Sequence, residues 1–140
     1  MEYCAIITVD EDFFWDVSFV SSNKEKITKV FNDKVDEILK DGVGVENEGS
    51  NYVVFDDGRE VWVVCGNGES DVKNGFIVFG EMEYGFVLEG VFQNKREALD
   101  KVEEIKSEYA KDGISVYKEY DDVLVFENDD VFKIKEIKIN

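Results

Sequence analysis

At 140 residues the chain has the length of one domain, enough to bury roughly two-thirds of its unfolded surface. It carries 33 acidic and 16 basic residues for a formal charge of −17, yet 44% of it is hydrophobic and 14% aromatic, which excludes a disordered acidic tail. So negative a surface also argues against direct contact with nucleic-acid phosphates or anionic lipid, leaving basic proteins and cations as partners.

The opening Met1-Glu2-Tyr3-Cys4 has neither the basic start nor the apolar run of a signal peptide, and no segment has the length of a membrane-spanning helix, so a cytoplasmic location is expected. Cys4 and Cys65 lack Cys-x-x-Cys spacing and could at most form one disulfide. In a reducing compartment they are expected to act as small apolar strand residues.

Residues 4–9 form a short apolar run and read as a strand. Asp10-Glu11-Asp12 turns it into a second strand over 13–20, whose alternation places Trp15, Val17 and Phe19 on one face. A helix follows over about 24–40, capped by Ser22 or Asn23 and closed by Gly42, with Ile27, Val30, Phe31, Val35 and Ile38 as its apolar stripe. Residues 43–46, 51–55 and 60–65 read as strands. The last two turn at Asp57-Gly58, where both central residues tolerate positive φ.

Sliding the sequence by 71 positions lays the second half on the first without a gap. Asn23-Lys24 meets Asn94-Lys95, Lys40-Asp41-Gly42 meets Lys111-Asp112-Gly113, and Val54-Phe55 meets Val125-Phe126. The second unit accordingly has strands over 76–79 and 84–92, then a helix capped by Asn94 with the stripe Ala98, Leu99, Val102, Ile105 and Tyr109. Strands over 114–117, 123–126 and 131–139 complete it. The expected fold is α+β: two units of strand-strand-helix followed by two or three strands, 1–70 and 71–140, joined through 66–74 into one compact domain. One helix per unit covers a face of antiparallel sheet.

The two helices carry nearly as many basic as acidic residues, so the negative charge resides on strands and turns. If successive strands are antiparallel, the turn at Asp10, Glu11 and Asp12 and the turn at Asp56, Asp57 and Glu60 lie at one end. Asp16 follows on the second strand, and the negative helix C-terminus points the same way. The duplication implies a second rim of Glu81, Glu83, Glu127, Asp129 and Asp130. Ordinary turn preference for Asp and Asn accounts for any one of these, but not for their concentration away from the helices. Phe14 and Trp62 fall on the less apolar parity of their strands and are candidate anchors for a partner.

Histidine is absent, which removes the usual general base, imidazole-dependent triads and the commonest zinc ligand. The glycines at 42, 44, 66 and 68 lack the context of a phosphate cradle. No window matches a calcium loop, though Asp10-Asp12 and Asp56-Asp57 have the chemistry for weak divalent binding. No catalytic residue, metal or cofactor is expected. In size, charge and want of catalytic groups, but in no motif, the chain is similar to viral anti-restriction and anti-CRISPR proteins. The expected function is therefore an acidic, DNA-mimic-like inhibitor of a basic nucleic-acid-binding protein. The alternatives are an immunity or antitoxin protein capping a basic toxin such as a nuclease, and a small metal-binding or enzymatic domain.

Overall fold

A computed structural model describes residues 1–140. The elements in chain order are β1 (Glu2–Val9), β2 (Trp15–Ser21), α1 (Lys24–Lys40), β3 (Val45–Glu48), β4 (Tyr52–Phe55), β5 (Glu60–Asn67), β6 (Asn74–Met82), β7 (Gly85–Phe92), α2 (Lys95–Lys111), β8 (Val116–Tyr120), β9 (Val123–Phe126) and β10 (Val131–Lys138). They form two separate five-stranded sheets of order β2-β1-β5-β4-β3 and β7-β6-β10-β9-β8. The fold is the α+β tandem repeat that the self-similarity implies. Residues 3–65 with Asn140 make one compact unit, here the N-terminal repeat, and residues 1–2 with 66–139 make the other, the C-terminal repeat.

Correspondence between the repeats extends below the level of element order. The helices Lys24–Lys40 and Lys95–Lys111 are offset by the same 71 residues as the sequence match. Asn23 caps α1 by accepting from the N–H groups of Glu25 and Lys26, and Asn94 caps α2 by accepting from Glu97, each capping side chain contributing about 1 kcal/mol. Gly42 and Gly113 take φ of +79° and +76° to end the two helices, as only glycine does without strain. Even the irregularities recur. Ser18 is the extra residue between the pairs Ile6–Phe19 and Ile7–Val17, and Glu89 is its counterpart between Val78–Gly90 and Phe79–Leu88. Glu46 on edge strand β3 and Tyr117 on edge strand β8 are a second matched pair of bulges.

The Ser18 bulge corrects the face assignment on β2. An extra residue reverses the alternation beyond it, so Phe19 pairs with Ile6 and joins the core beneath α1, whereas Val17 pairs with Ile7 on the opposite side. Under α1 lie Cys4, Ile6, Val53, Phe55 and Val61, met from the helix by Ile27, Val30, Phe31, Val35 and Ile38. In the equivalent core of the second repeat, Val78, Leu124, Phe126, Phe132 and Ile134 of the sheet meet Ala98, Val102, Ile105 and Tyr109 of α2. Leu99, expected in that stripe, is exposed; it lies about 100° around the helix from Ala98. On β1 the intervening residues Tyr3, Ala5, Ile7 and Val9 are also buried, which explains why this strand reads as an unbroken apolar run.

Cys4 and Cys65 are joined in a disulfide, with Cα atoms 4.0 Å apart. The expectation of two free thiols is thereby corrected: β1 and β5 are neighbours in the sheet although the cysteines lie 61 positions apart in sequence. No helix is long and apolar enough to cross a membrane.

Candidate functional site

The end of the N-terminal repeat's sheet where β1 turns into β2 also holds the β4–β5 turn and the C-terminus of α1. Asp10 builds the first turn. Its Oδ1 accepts the N–H groups of Asp12 (2.9 Å) and Phe14 (3.0 Å), its own N–H donates to the Phe14 carbonyl (2.9 Å), and its carbonyl accepts from Phe13 (3.1 Å). Phe13 sits at φ 64°, a left-handed conformation that bulky side chains rarely adopt. The result is a tip on which Phe13 is 74% and Phe14 61% exposed.

At the β4–β5 turn, the Gly58 N–H donates to the Phe55 carbonyl and the Phe55 N–H to the Arg59 carbonyl. Only Gly58 has positive φ, at +92°. Asp57 keeps an ordinary φ, so this is a type I turn closed by a left-handed glycine and not the two-residue mirror-image turn the dipeptide suggests. Asp57 instead uses its carboxylate, accepting the Arg59 N–H at 3.0 Å and the Arg59 Nε at 2.7 Å.

Arg59 is the hub of this end. Besides Asp57, its guanidinium donates to Asp41 at the end of α1 (3.0 Å) and lies 3.8 Å from Glu11 on the first turn. Its side chain is only 19% exposed. Hydrogen bonds to Asp41 and Asp57 raise the guanidinium's already high pKa, and the Arg59 N–H holds the Asp57 carboxyl below the ordinary aspartate value. One cation thus organises three carboxylates from three segments. Asp12 and Asp56 stand exposed at the same end, the Asp56 side chain lying over Gly44.

Other expected residues have local duties. Asp16, half-buried on β2, accepts its neighbour Val17's N–H (2.8 Å). Glu60 accepts the Trp62 indole N–H (2.7 Å), and Trp62 stacks on Tyr52 with ring centroids 4.5 Å apart. Trp62 is therefore half-buried and held within its own sheet, and it does not project as an anchor.

In the C-terminal repeat Val131 pairs with Glu81, which sets the turn of Glu127 and Asp129 at the same sheet end as the β6–β7 hairpin carrying Glu83. Glu81 is half-buried on β6; Glu83, Glu127 and Asp129 are exposed. Asp130 is not part of the rim. It is buried, its Oδ2 accepts the Tyr109 hydroxyl (2.6 Å) and the Asn128 amide (3.2 Å), and it ties α2 to the turn. Desolvation, reinforced by the Asp130 bond, pushes the Tyr109 hydroxyl far above its usual pKa.

Sequence reasoning overlooked Arg59 and Asp41, whose meeting depends on three chain segments converging. It also overlooked Phe13 and Tyr84 as anchors, although the 71-residue offset places one on the other; Tyr84 is 90% exposed at its hairpin tip. No group of three or more Cys, Asp or Glu is placed to hold a metal ion. No protein-family model, curated protein or solved structure matches this chain.

Proposed function

We propose that the protein is a non-enzymatic acidic inhibitor that docks its carboxylate-bearing sheet end onto the basic nucleic-acid-binding surface of a target protein. Such a target belongs to a defence system of the restriction or CRISPR type, and the inhibitor acts in the cytoplasm, the host's if a phage encodes it. The observation that carries this reading is the uneven distribution of countercharge. Along the helices acids are interleaved with bases, as in Lys29–Asp33, Arg96–Asp100, Lys101–Glu104 and Lys106–Glu103. At the N-terminal repeat's sheet end, Glu11, Asp41 and Asp57 share Arg59, Asp12 and Asp56 stand exposed beside them, and the other base at the end of α1 is Lys40, so five carboxylates face two cations. Carboxylates so placed present a field like that of phosphates, and a basic groove gains by exchanging its counterions for them.

The test is competition. A panel of restriction and CRISPR nucleases is assayed for DNA binding with and without the protein, over a range of salt. Inhibition of at least one target, weakening as salt rises and lost on combined Glu11→Lys, Asp12→Lys and Asp56→Lys substitution, is the expected outcome. Inhibition that survives charge reversal would overturn the proposal.

A specific feature supports a second reading, an immunity protein for a basic toxin. Phe13 and Phe14 stand among the carboxylates and have no counterpart in a phosphate array, whereas plugging a nuclease active site uses such anchors. Protection of a toxin whose active site, and not its DNA groove, is blocked would favour that version.

A further inference from the structure

We propose that the β1–β2 tip is an anchor, with Phe13 and Phe14 entering an apolar pocket that the partner rims with Lys and Arg. This rests on reading the surrounding carboxylates as a docking surface, and it adds what the partner must offer besides positive charge. Two adjacent phenylalanines at 74% and 61% exposure are unfavourable in water, and Phe13 additionally occupies a left-handed conformation. Local preference would put Asn or Gly there. The tip is nevertheless firmly built. Asp10 holds it through its side chain and backbone, and the Phe13 ring rests against Gly58, where an added Cβ would stand 3.4 Å from a ring carbon. A tip whose backbone is fixed and whose Phe13 ring is already seated before contact loses little freedom on docking, which is the property of an interface hot spot.

Charge decides the kind of partner. Glu11 and Asp12 precede the rings in sequence, while Asp41 and Asp57 approach through Arg59. A pocket edged with acids, or with nucleic-acid phosphates, would be repelled; one edged with Lys and Arg is drawn in and aligned. The same composition recurs at the equivalent tip of the C-terminal repeat, where exposed Tyr84 follows exposed Met82 and Glu83.

Two synthetic peptides of equal length and equal positive charge test the inference against the isotopically labelled full chain: an amphipathic Lys/Leu helix and a Lys/Ser control. The Lys/Leu peptide is expected to bind about tenfold more tightly, with amide shifts centred on residues 10–14 and 56–59. In a Phe13→Asn, Phe14→Ser variant, whose Asn tolerates the left-handed backbone, that preference should vanish while Lys/Ser affinity stays unchanged. Absence of a Leu preference, or its persistence in the double variant, overturns the anchor. Combined Glu11→Lys, Asp12→Lys and Asp56→Lys substitution separates the two ideas. If it weakens Lys/Ser binding while no Leu preference exists, the acidic rim stands and the anchor falls. If neither peptide binds, or Lys/Ser binding ignores charge reversal, both fall.

Discussion

Arg59 and Asp130 hold the same position in the two repeats with opposite charge and opposite surroundings. Each follows a left-handed residue, Gly58 or Asp129, and each receives the same backbone bond from the strand before the turn, Phe55 or Phe126. Arg59 reaches outward to Glu11, Asp41 and Asp57, whereas Asp130 is drawn inward by the Tyr109 hydroxyl. The turn backbone is thus the same in the two repeats while the side chain that organises it differs.

Replacing Arg59 with Met should lower stability and leave Glu11, Asp41 and Asp57 repelling one another, with a loss larger at low salt than at high salt. Urea unfolding of the parent and variant at two ionic strengths checks this; a loss independent of salt would mean that Arg59 acts mainly through packing.

Asp57 links stability to pH. Its folded pKa lies below the ordinary value, so its contribution is complete above the unfolded aspartate value of about 3.9 and is lost as pH falls through the depressed one. In Asp57→Asn the acid limb of the stability profile should flatten over that window, as unfolding midpoints measured at successive pH values would reveal.

For the buried pair in the C-terminal repeat, Tyr109→Phe removes a donor from the Asp130 carboxylate and should cost about 1–3 kcal/mol. Because the Tyr109 pKa is raised on folding, the bond's contribution is fully present below the unfolded tyrosine value of about 10 and declines as pH rises through the folded one. Ultraviolet titration should show one tyrosine resisting ionisation, and Tyr109→Phe should delete it.

Asp129 has φ of 73°, where its counterpart Gly58 is free to adopt +92°. Asp129→Gly should stabilise the protein by about 0.5–1 kcal/mol, the left-handed strain outweighing the added freedom of the unfolded chain. A raised thermal midpoint is the readout.

Reduction of Cys4–Cys65 should lower stability by about 4 kcal/mol, given the long loop it closes, while strand pairing between β1 and β5 keeps the fold cooperative. Denaturant titration with and without dithiothreitol measures the difference. A fold that collapses on reduction would be incompatible with action in a reducing cytoplasm.

Element order, the helix caps, the stripes apart from exposed Leu99, and the shared end of the acidic turns were legible because each depends on local spacing or on strict reversal of direction. What escaped depends on contacts between distant segments. The Ser18 and Glu89 bulges each insert a residue that alternation cannot announce, so Phe19 was placed with Trp15 and Val17. The disulfide requires β1 to lie beside β5, a non-sequential neighbour. Asp130 looked like its exposed neighbours because nothing local marks the approach of Tyr109.

The matched bulges at Ser18 and Glu89, and again at Glu46 and Tyr117, belong to the repeat as much as its strands do. An irregularity arising twice at corresponding places would be a coincidence of backbone as well as of sequence. Both kinks are therefore built into the repeating unit, matched residue for residue at the 71-position offset. The side chains at those sites differ, serine against glutamate and glutamate against tyrosine, so the bent path of the main chain does not depend on which residue traces it.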